Sequence, residues 1–252
     1  LIIEKARVIS LSKISSNYHL IKVNSPVIAS EIKPGQFCNI KVSDSDFPLL
    51  RRPFSICDVE NDNLIFVFDV HGEGTKILAS KKPGDVIDIL GPLGNGFNLN
   101  GNYELAVIIG GGIGTAPFPY LIKNLLADVN VKSFIGGRTK EHLIKYNLQN
   151  IYVATDDGSE GFHGNVVDLF IEEIKNFSTT NFRIFACGPN PMLKSLQKIA
   201  IEKKYDCQLS VECAMACGFG ICQGCPVEKS NGDGYYLVCK DGPIFNADMI
   251  IL

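Results

Sequence analysis

The chain has 252 residues, 46% of them apolar and 20% charged, enough for two globular domains and a small appendage and unlike a disordered or fibrous sequence. A formal net charge of −3, with no basic stripe interleaved with aromatics, excludes a polyanion-binding surface, so no nucleic acid is expected as a partner. No apolar run approaches the roughly 20 residues that span a bilayer, and the opening "LIIEKARVIS" lacks a basic stretch leading into an apolar one; neither a membrane span nor a signal peptide is expected.

The first hundred residues predict short strands. "KARVISLSKIS", "YHLIKVNS", "QFCNIKVS", "LIFVFDV" and "DVIDILGPLG" show alternation or β-branched enrichment between Gly, Pro, Asn and Asp, the spacing of a small antiparallel β-barrel over 1–101. Residues 51–55, "RRPFS", fall where a barrel strand would end. Arg52 and Ser55 can hold a flavin phosphate on guanidinium and hydroxyl, Pro53 stiffens the platform, and Phe54 packs beside it; a solvated basic loop is the plain alternative. "HGEGTKIL" follows, with Gly74 and Thr75 opening a short helix whose amides make a second phosphate cradle.

From about 102 to 205 strands alternate with helices, which predicts a Rossmann-like parallel α/β sheet. The expected strands are "ELAVIIGGG", "VKSFIGGR", "NIYVATDDG" and "FRIFACGP". The expected helices are "IGTAPFPYLIKNLLAD", a short "EHLIKY", "NVVDLFIEEIKNF" and "NPMLKSLQKIAIEKK", and the rhythm stops near 206. The turn carrying Gly111, Gly112, Gly114 and Thr115 lies between a buried strand and a helix, where a dinucleotide pyrophosphate meets a helix N-terminus. Cys187 and Gly188, in "ACGPNPML", end a later strand of the same sheet. Ligands of open α/β sheets bind beyond the carboxyl ends of the strands, so both segments would line one crevice, with Cys187 facing the meeting place of nicotinamide and flavin or serving as a structural thiol. Thr155, Asp156 and Gly158 share that address and either touch nucleotide hydroxyls or cap the next helix. Arg138 is a candidate for the adenosine ribose or a 2′-phosphate, which leaves NAD and NADP both open.

Residues 206–252 form a Cys/Gly-rich module. Of nine cysteines, five fall between 213 and 239, an odd cluster unlike a disulfide framework and in keeping with a cytoplasmic chain that holds metal. Cys217, Cys222, Cys225 and Cys239 are spaced C-x4-C-x2-C-x13-C, the plant-type pattern of a [2Fe–2S] ligand loop. Gly218, Gly220 and Gly224 allow the loop to wrap a compact inorganic core. A structural zinc site would favour two C-x2-C pairs, and only one is present. Cys213 is left as a spare buried thiol, as are Cys38, Cys57 and Cys207. The four His residues form no triad; His71, beside the flavin segment, is the one with a possible role.

In this order, "RRPFS", "GEGT", "GGGIGTAPF", "TDDGS", "CGPNPML" and the cysteine spacing resemble the ferredoxin–NADP reductase superfamily. With "VCKDGPIFNAD", the C-terminal part resembles more closely the electron-transfer subunits of the bacterial dihydroorotate dehydrogenase B type, over essentially the whole chain. The resemblance implies a barrel binding FAD through Arg52, Pro53, Phe54, Ser55, Gly74 and Thr75, with Val67, Phe68 and Asp69 along the ring. It also implies an α/β domain for NAD(H), a [2Fe–2S] cluster on the four named cysteines, and a separate FMN-containing catalytic subunit in a heterotetramer of two copies of each. That partner oxidises dihydroorotate in pyrimidine biosynthesis, so no catalytic acid or base is expected in this chain. The rivals are a small subunit of an NADH-dependent ferredoxin–NADP reductase, sulfide dehydrogenase or hydrogenase complex, and a zinc-stapled adaptor without redox function.

Overall fold

The protein, as a computed structural model, is described over residues 1–252. The chain begins β1 (Ile2–Lys13), β2 (Tyr18–Asn24), α1 (Pro26–Glu31), β3 (Phe37–Lys41), β4 (Arg52–Ser55), β5 (Asp58–Glu60), β6 (Asn63–Asp69), α2 (Glu73–Ala79) and β7 (Val86–Leu93). These strands make one antiparallel sheet in the order β4-β3-β7-β1-β2-β6-β5. It curls into a half-barrel whose edge strand β4 reaches β6 through side chains, with Phe54 5.9 Å from Phe68 and 6.5 Å from Phe66, ring centre to ring centre. The "RRPFS" segment is thus an edge strand itself rather than the end of one, a position where Pro53 removes no ladder hydrogen bond that an inner strand would need.

Strand periodicity explains how this sheet meets the next layer. Along β6, Leu64, Phe66 and Phe68 point into the half-barrel core beside Ile21, Ile40 and Ile89. The alternate residues Ile65 and Val67 point the other way, where they join Tyr18, Leu20 and Cys57 in packing on Ala116 and Ile144. Because β6 is buried on both faces, its carboxyl end at Val67–Asp69 opens into the seam between the layers.

The second layer comprises β8 (Leu105–Gly111), α3 (Phe118–Lys123), β9 (Asn130–Gly137), β10 (Ile151–Thr155), β11 (Phe162–His163), α4 (Val166–Glu173), β12 (Phe182–Cys187), α5 (Asn190–Lys203) and β13 (Asp206–Ser210). These strands pair in parallel in the order β11-β10-β9-β8-β12-β13. Three sequence expectations are corrected. The helix expected from Ile113 is a 3₁₀ turn at Gly112–Thr115 and then only six residues of α3, because Pro117, at the N-cap, and Pro119, in the first turn, lack the N–H groups that a longer helix through them would need. The "EHLIKY" helix is a single 3₁₀ turn, Lys140–His142. And the α/β rhythm does not stop near 206: β13 is a further parallel strand, whose short "DCQLS" run carries too little period to be read as one.

The remaining strands are β14 (Pro226–Lys229), β15 (Tyr235–Leu237), β16 (Ile244–Asn246) and β17 (Ile250–Ile251). β14, β15 and β17 form a small sheet, whereas β16 adds antiparallel to β13. One core runs through all of this: Leu90 and Leu93 of the half-barrel, Val107 and Leu209 of the parallel sheet, and Val238, Cys239 and Phe245 of the tail belong to it. Gln197 of α5 fastens the tail from beneath, buried and donating to the carbonyls of Ala247 and Ile250, each at 2.8 Å. Replacing it, Gln197→Leu, strands two buried acceptors, each worth about 1–3 kcal/mol. Thermal unfolding is expected to begin several degrees lower, with faster amide exchange confined at first to residues 244–251; an unchanged melting temperature would refute the anchor.

Candidate functional site

Two cavities lie in the seam. The first, of about 210 Å³, has Pro53, Phe54 and Ser55 of β4 on one side and Val67, Phe68 and Asp69 of β6 on another. Thr75 of α2 and His71 close one end. The far wall comes from the parallel sheet and the tail: Cys187, Val211, Glu212, Cys213, Met215 and Pro243. The second, of about 650 Å³, opens beyond the carboxyl ends of β8, β9, β10 and β12. Gly111, Gly112 and Gly114 line it, with Gly188, Arg138 and Asp156 opposite. Asp69, Ile113, Gly114 and Glu212 belong to both, so the two spaces share one wall.

Arg52 and Gly74 line neither cavity; they lie against each other at the start of α2, next to Thr75 at the end of the first. A Cβ on Gly74 would stand 2.3 Å from Arg52 Nε, so with any other residue here the guanidinium has to move aside from the start of α2. Thr75 Oγ1 shapes this corner, accepting from the His71 and Gly72 N–H groups and donating to the Gly72 carbonyl. A cation over helix-start amides, beside an apolar slot walled by Phe54 and Phe68, fits a pyrophosphate joined to a flat ring system, the chemistry of FAD. His71 Nδ1 lies 3.0 Å from Asp69 Oδ1, which ties the ring to this wall.

The expected nucleotide residues divide. Gly111, Gly112, Gly114 and Gly188 line the crevice and Cys187 lines the flavin-sized cavity, but Thr115 lines neither. Its hydroxyl is buried without a partner, turned against Gly110 inside the turn. Thr155 is buried as well, bonding the Glu160 N–H and carbonyl, while Asp156 faces the crevice and Asn165, not this segment, caps α4.

Glu212, Tyr18 and Cys213 are site residues that the sequence pattern did not expose. Glu212 keeps open surface because it faces both cavities, yet the surrounding protein desolvates it and Asp69 adds repulsion, so its carboxyl holds a proton to higher pH than usual. Burial, then the charge of Glu212, likewise raises the Cys187 thiol. Burial and Asp69, opposed by Arg138, push the Tyr18 hydroxyl up to about 12. Cys213 is half-buried in the flavin-sized cavity wall rather than a spare core thiol. Each position depends on a tertiary contact with no local motif to announce it.

The four tail cysteines come as two pairs. Cys225 and Cys239 are buried with their Sγ atoms 3.2 Å apart. Cys217 is half-buried and Cys222 exposed, with the Cys222 N–H 3.4 Å from Cys217 Sγ. Burial pushes the Cys217 thiol up, but N–H groups of Cys222, Phe219 and Ile221 and the Cys222 thiol outweigh it and bring it down to about 6. The four sulfurs are not gathered round one point, as a single zinc ion needs; two separate pairs suit a cluster with two irons, each taking two sulfurs. Gly218, at φ +80°, makes the turn possible and lies against Asn39 of β3, which donates to the Cys217 carbonyl at 3.2 Å. Asn95, between the two large sheets, holds the other arm: its side chain donates to the carbonyls of Lys240 and Asp241 and its N–H to that of Gly242.

Comparison with known proteins agrees with this geometry. Residues 212–251 match the family model described as the iron-sulfur cluster binding domain of dihydroorotate dehydrogenase B. Proteins named dihydroorotate dehydrogenase B (NAD(+)), electron transfer subunit, are similar over nearly the full chain. The Geobacillus sp. (strain WCH70) protein is 36% identical, covering 99% of this chain and 98% of its own. That of Caldanaerobacter subterraneus subsp. tengcongensis is 38% identical, covering 98% of each. Among solved structures, one of an NADH-dependent reduced ferredoxin–NADP oxidoreductase, described in a study of flavin-based electron bifurcation, superposes with a TM-score of 0.87 at 28% identity, covering 98% of this chain and 90% of that one. A ferredoxin NADP+ reductase from Neisseria gonorrhoeae with bound FAD and NADP shares the fold, with a TM-score of 0.66 at 16% identity, over 79% of this chain and 91% of that one.

The Gly74–Arg52 contact generates a direct test. In Gly74→Ala the methyl must displace the guanidinium; where Arg52 holds a flavin phosphate, that weakens a charge-assisted hydrogen bond worth about 1.5–3 kcal/mol. The dissociation constant for FAD, followed by flavin fluorescence, is expected to rise roughly ten- to hundredfold in Gly74→Ala and in Arg52→Ala; an unaltered constant in Arg52→Ala would show that Arg52 does not bind the cofactor.

Proposed function

The chain belongs to the family of electron transfer subunits of dihydroorotate dehydrogenase B, and from that premise we propose that it carries electrons from the FMN of a catalytic subunit through its own [2Fe–2S] cluster and FAD to NAD+. The observation that carries this reading is the pair of shared walls. Asp69, Ile113, Gly114 and Glu212 separate the flavin-sized cavity from the nucleotide crevice, and the tail residues Cys213 and Met215, just before the first thiol pair, close that cavity on its other side.

When bound, FAD links the two-electron couple of NAD(H) to the one-electron couple of the cluster. The chain's own residues bind and position. Arg52, Gly74 and Thr75 would hold the FAD pyrophosphate; Pro53, Phe54, Ser55 and the Val67–Asp69 segment would shape the ring slot. Gly111, Gly112, Gly114 and Gly188 would let the nicotinamide nucleotide approach the sheet closely. Glu212 places a protonatable group on the wall common to both spaces, and Cys187 presents a neutral thiol to the flavin-sized cavity. Cys217, Cys222, Cys225 and Cys239 would hold the cluster, with the loop amides stabilising their negative charge.

The division into a half-barrel for FAD over 1–101, an α/β unit for NAD(H) over 102–205 and a cluster module over 206–252 is part of this proposal, as is a complex of two copies of each subunit in the cytoplasm. No helix is long and apolar enough to cross a membrane. The ferredoxin-linked rival rests on a relative at 28% identity, below the 36–38% of the dihydroorotate-linked ones.

A single substitution separates the two halves of the proposed path. Cys239→Ser is expected to abolish dihydroorotate-driven NAD+ reduction by the complex and the visible absorption of the cluster, while leaving most of the NADH-driven reduction of a dye at the flavin. Equal loss of both activities would show that the cluster is not interposed between the partner and the FAD.

A further inference from the structure

The loop between β3 and β4 is unlike the rest of the surface. Phe47, Leu49 and Leu50 are 70%, 74% and 50% exposed within four residues. Ile221, in the cluster loop, is 75% exposed, next to the exposed ligand Cys222. The two loops share one support. Asn39 of β3 donates to the Cys217 carbonyl, and β3 ends two residues later at Lys41, a rise of about 7 Å along the strand.

The apolar loop is also held in place. At its exit Arg51 pairs with Asp88 of β7 at 2.5 Å and donates to the carbonyls of Asp88 and Asn39. Inside it, Ser45 Oγ lies 2.7 Å from Ser43 Oγ and donates to the Phe47 carbonyl at 2.5 Å. Three large apolar side chains fixed in water near the loop that takes up electrons gain nothing for the isolated chain, since none joins its core. Asn39 bonds both Cys217, in the cluster loop, and Arg51, at the exit of the apolar loop, so a partner that draws close to the cluster meets the two loops together.

We infer that Phe47, Leu49 and Leu50 form a second arm of the docking surface for the FMN-bearing catalytic subunit, continuous with the cluster loop. The inference rests on the proposed function, because that reading supplies the partner. The occupant is a protein surface with an apolar recess beside the route to its own FMN, so the arm seats the partner and the cluster loop receives the electrons.

The test uses the full chain loaded with FAD and cluster, titrated with purified catalytic subunit, for wild type, for Leu49→Asp/Leu50→Asp and for Phe47→Asp. Leu126→Asp, an exposed apolar residue on a different loop, is the control. Wild type and control are expected to bind alike, and the β3–β4 variants to bind about tenfold or more weakly. Their FAD content, cluster absorption and NADH:dye activity should match wild type. Unchanged affinity in the variants overturns the inference. So does a loss of FAD, which would assign the loop to the flavin site, or unchanged affinity with loss of a self-associated form, which would assign it to a second copy of this chain. A wild-type protein that does not bind the catalytic subunit brings down the proposed function itself, a result distinct from any of these.

Discussion

Everything in this structure depends on one apolar core that no single sheet owns. Leu90 and Leu93 of the half-barrel, Val107 and Leu209 of the parallel sheet, and Val238 and Phe245 of the tail bury one another. At roughly 1.5–3 kcal/mol for each large side chain removed from water, such a core fixes the three parts with respect to one another. An electron carrier needs that: its sites must keep their spacing while charge arrives and leaves. Polar locks add direction to the packing, with Asn95 gripping the Lys240–Gly242 stretch just after Cys239 and Asn39 supporting Cys217 from the opposite side.

Charge is distributed along the same line. At one end Arg52 and the start of α2 favour an anion; at the other, loop amides favour thiolates and lower the Cys217 thiol. Between them burial raises both the Glu212 carboxyl, on the shared wall beside Asp69, and the Cys187 thiol, in the flavin-sized cavity. The buried Cys225–Cys239 pair and the more open Cys217–Cys222 pair extend this gradient from interior to surface.

The parts of the site that were legible in the sequence are those whose chemistry is local. Thiolate spacing, glycines opening a helix, and a glycine turn after a buried strand each act through neighbours in the chain, so "GEGT", "GGGIGTAPF" and the cysteine run stand out as motifs. Glu212, Tyr18 and Cys213 could not, because nothing beside them marks a wall that only the meeting of β2, β6 and β13 creates. Thr115 fails for the complementary reason: it belongs to the right turn, but its hydroxyl points inward at Gly110. In the fold, the short edge strand β4 and the late parallel strand β13 escaped because four or five residues carry too little period, whereas Pro117 and Pro119 stood in plain view and still lost to the apolar pattern around them.

The central claim is that one rigid chain sets nucleotide, flavin and cluster in line with an external electron donor. Its most direct test is to add dihydroorotate anaerobically to the complex of this chain with its catalytic subunit and follow NADH formation from NAD+. The account predicts that NADH accumulates in step with orotate, one for one. Orotate formed with the cluster reduced but no NADH produced would contradict it.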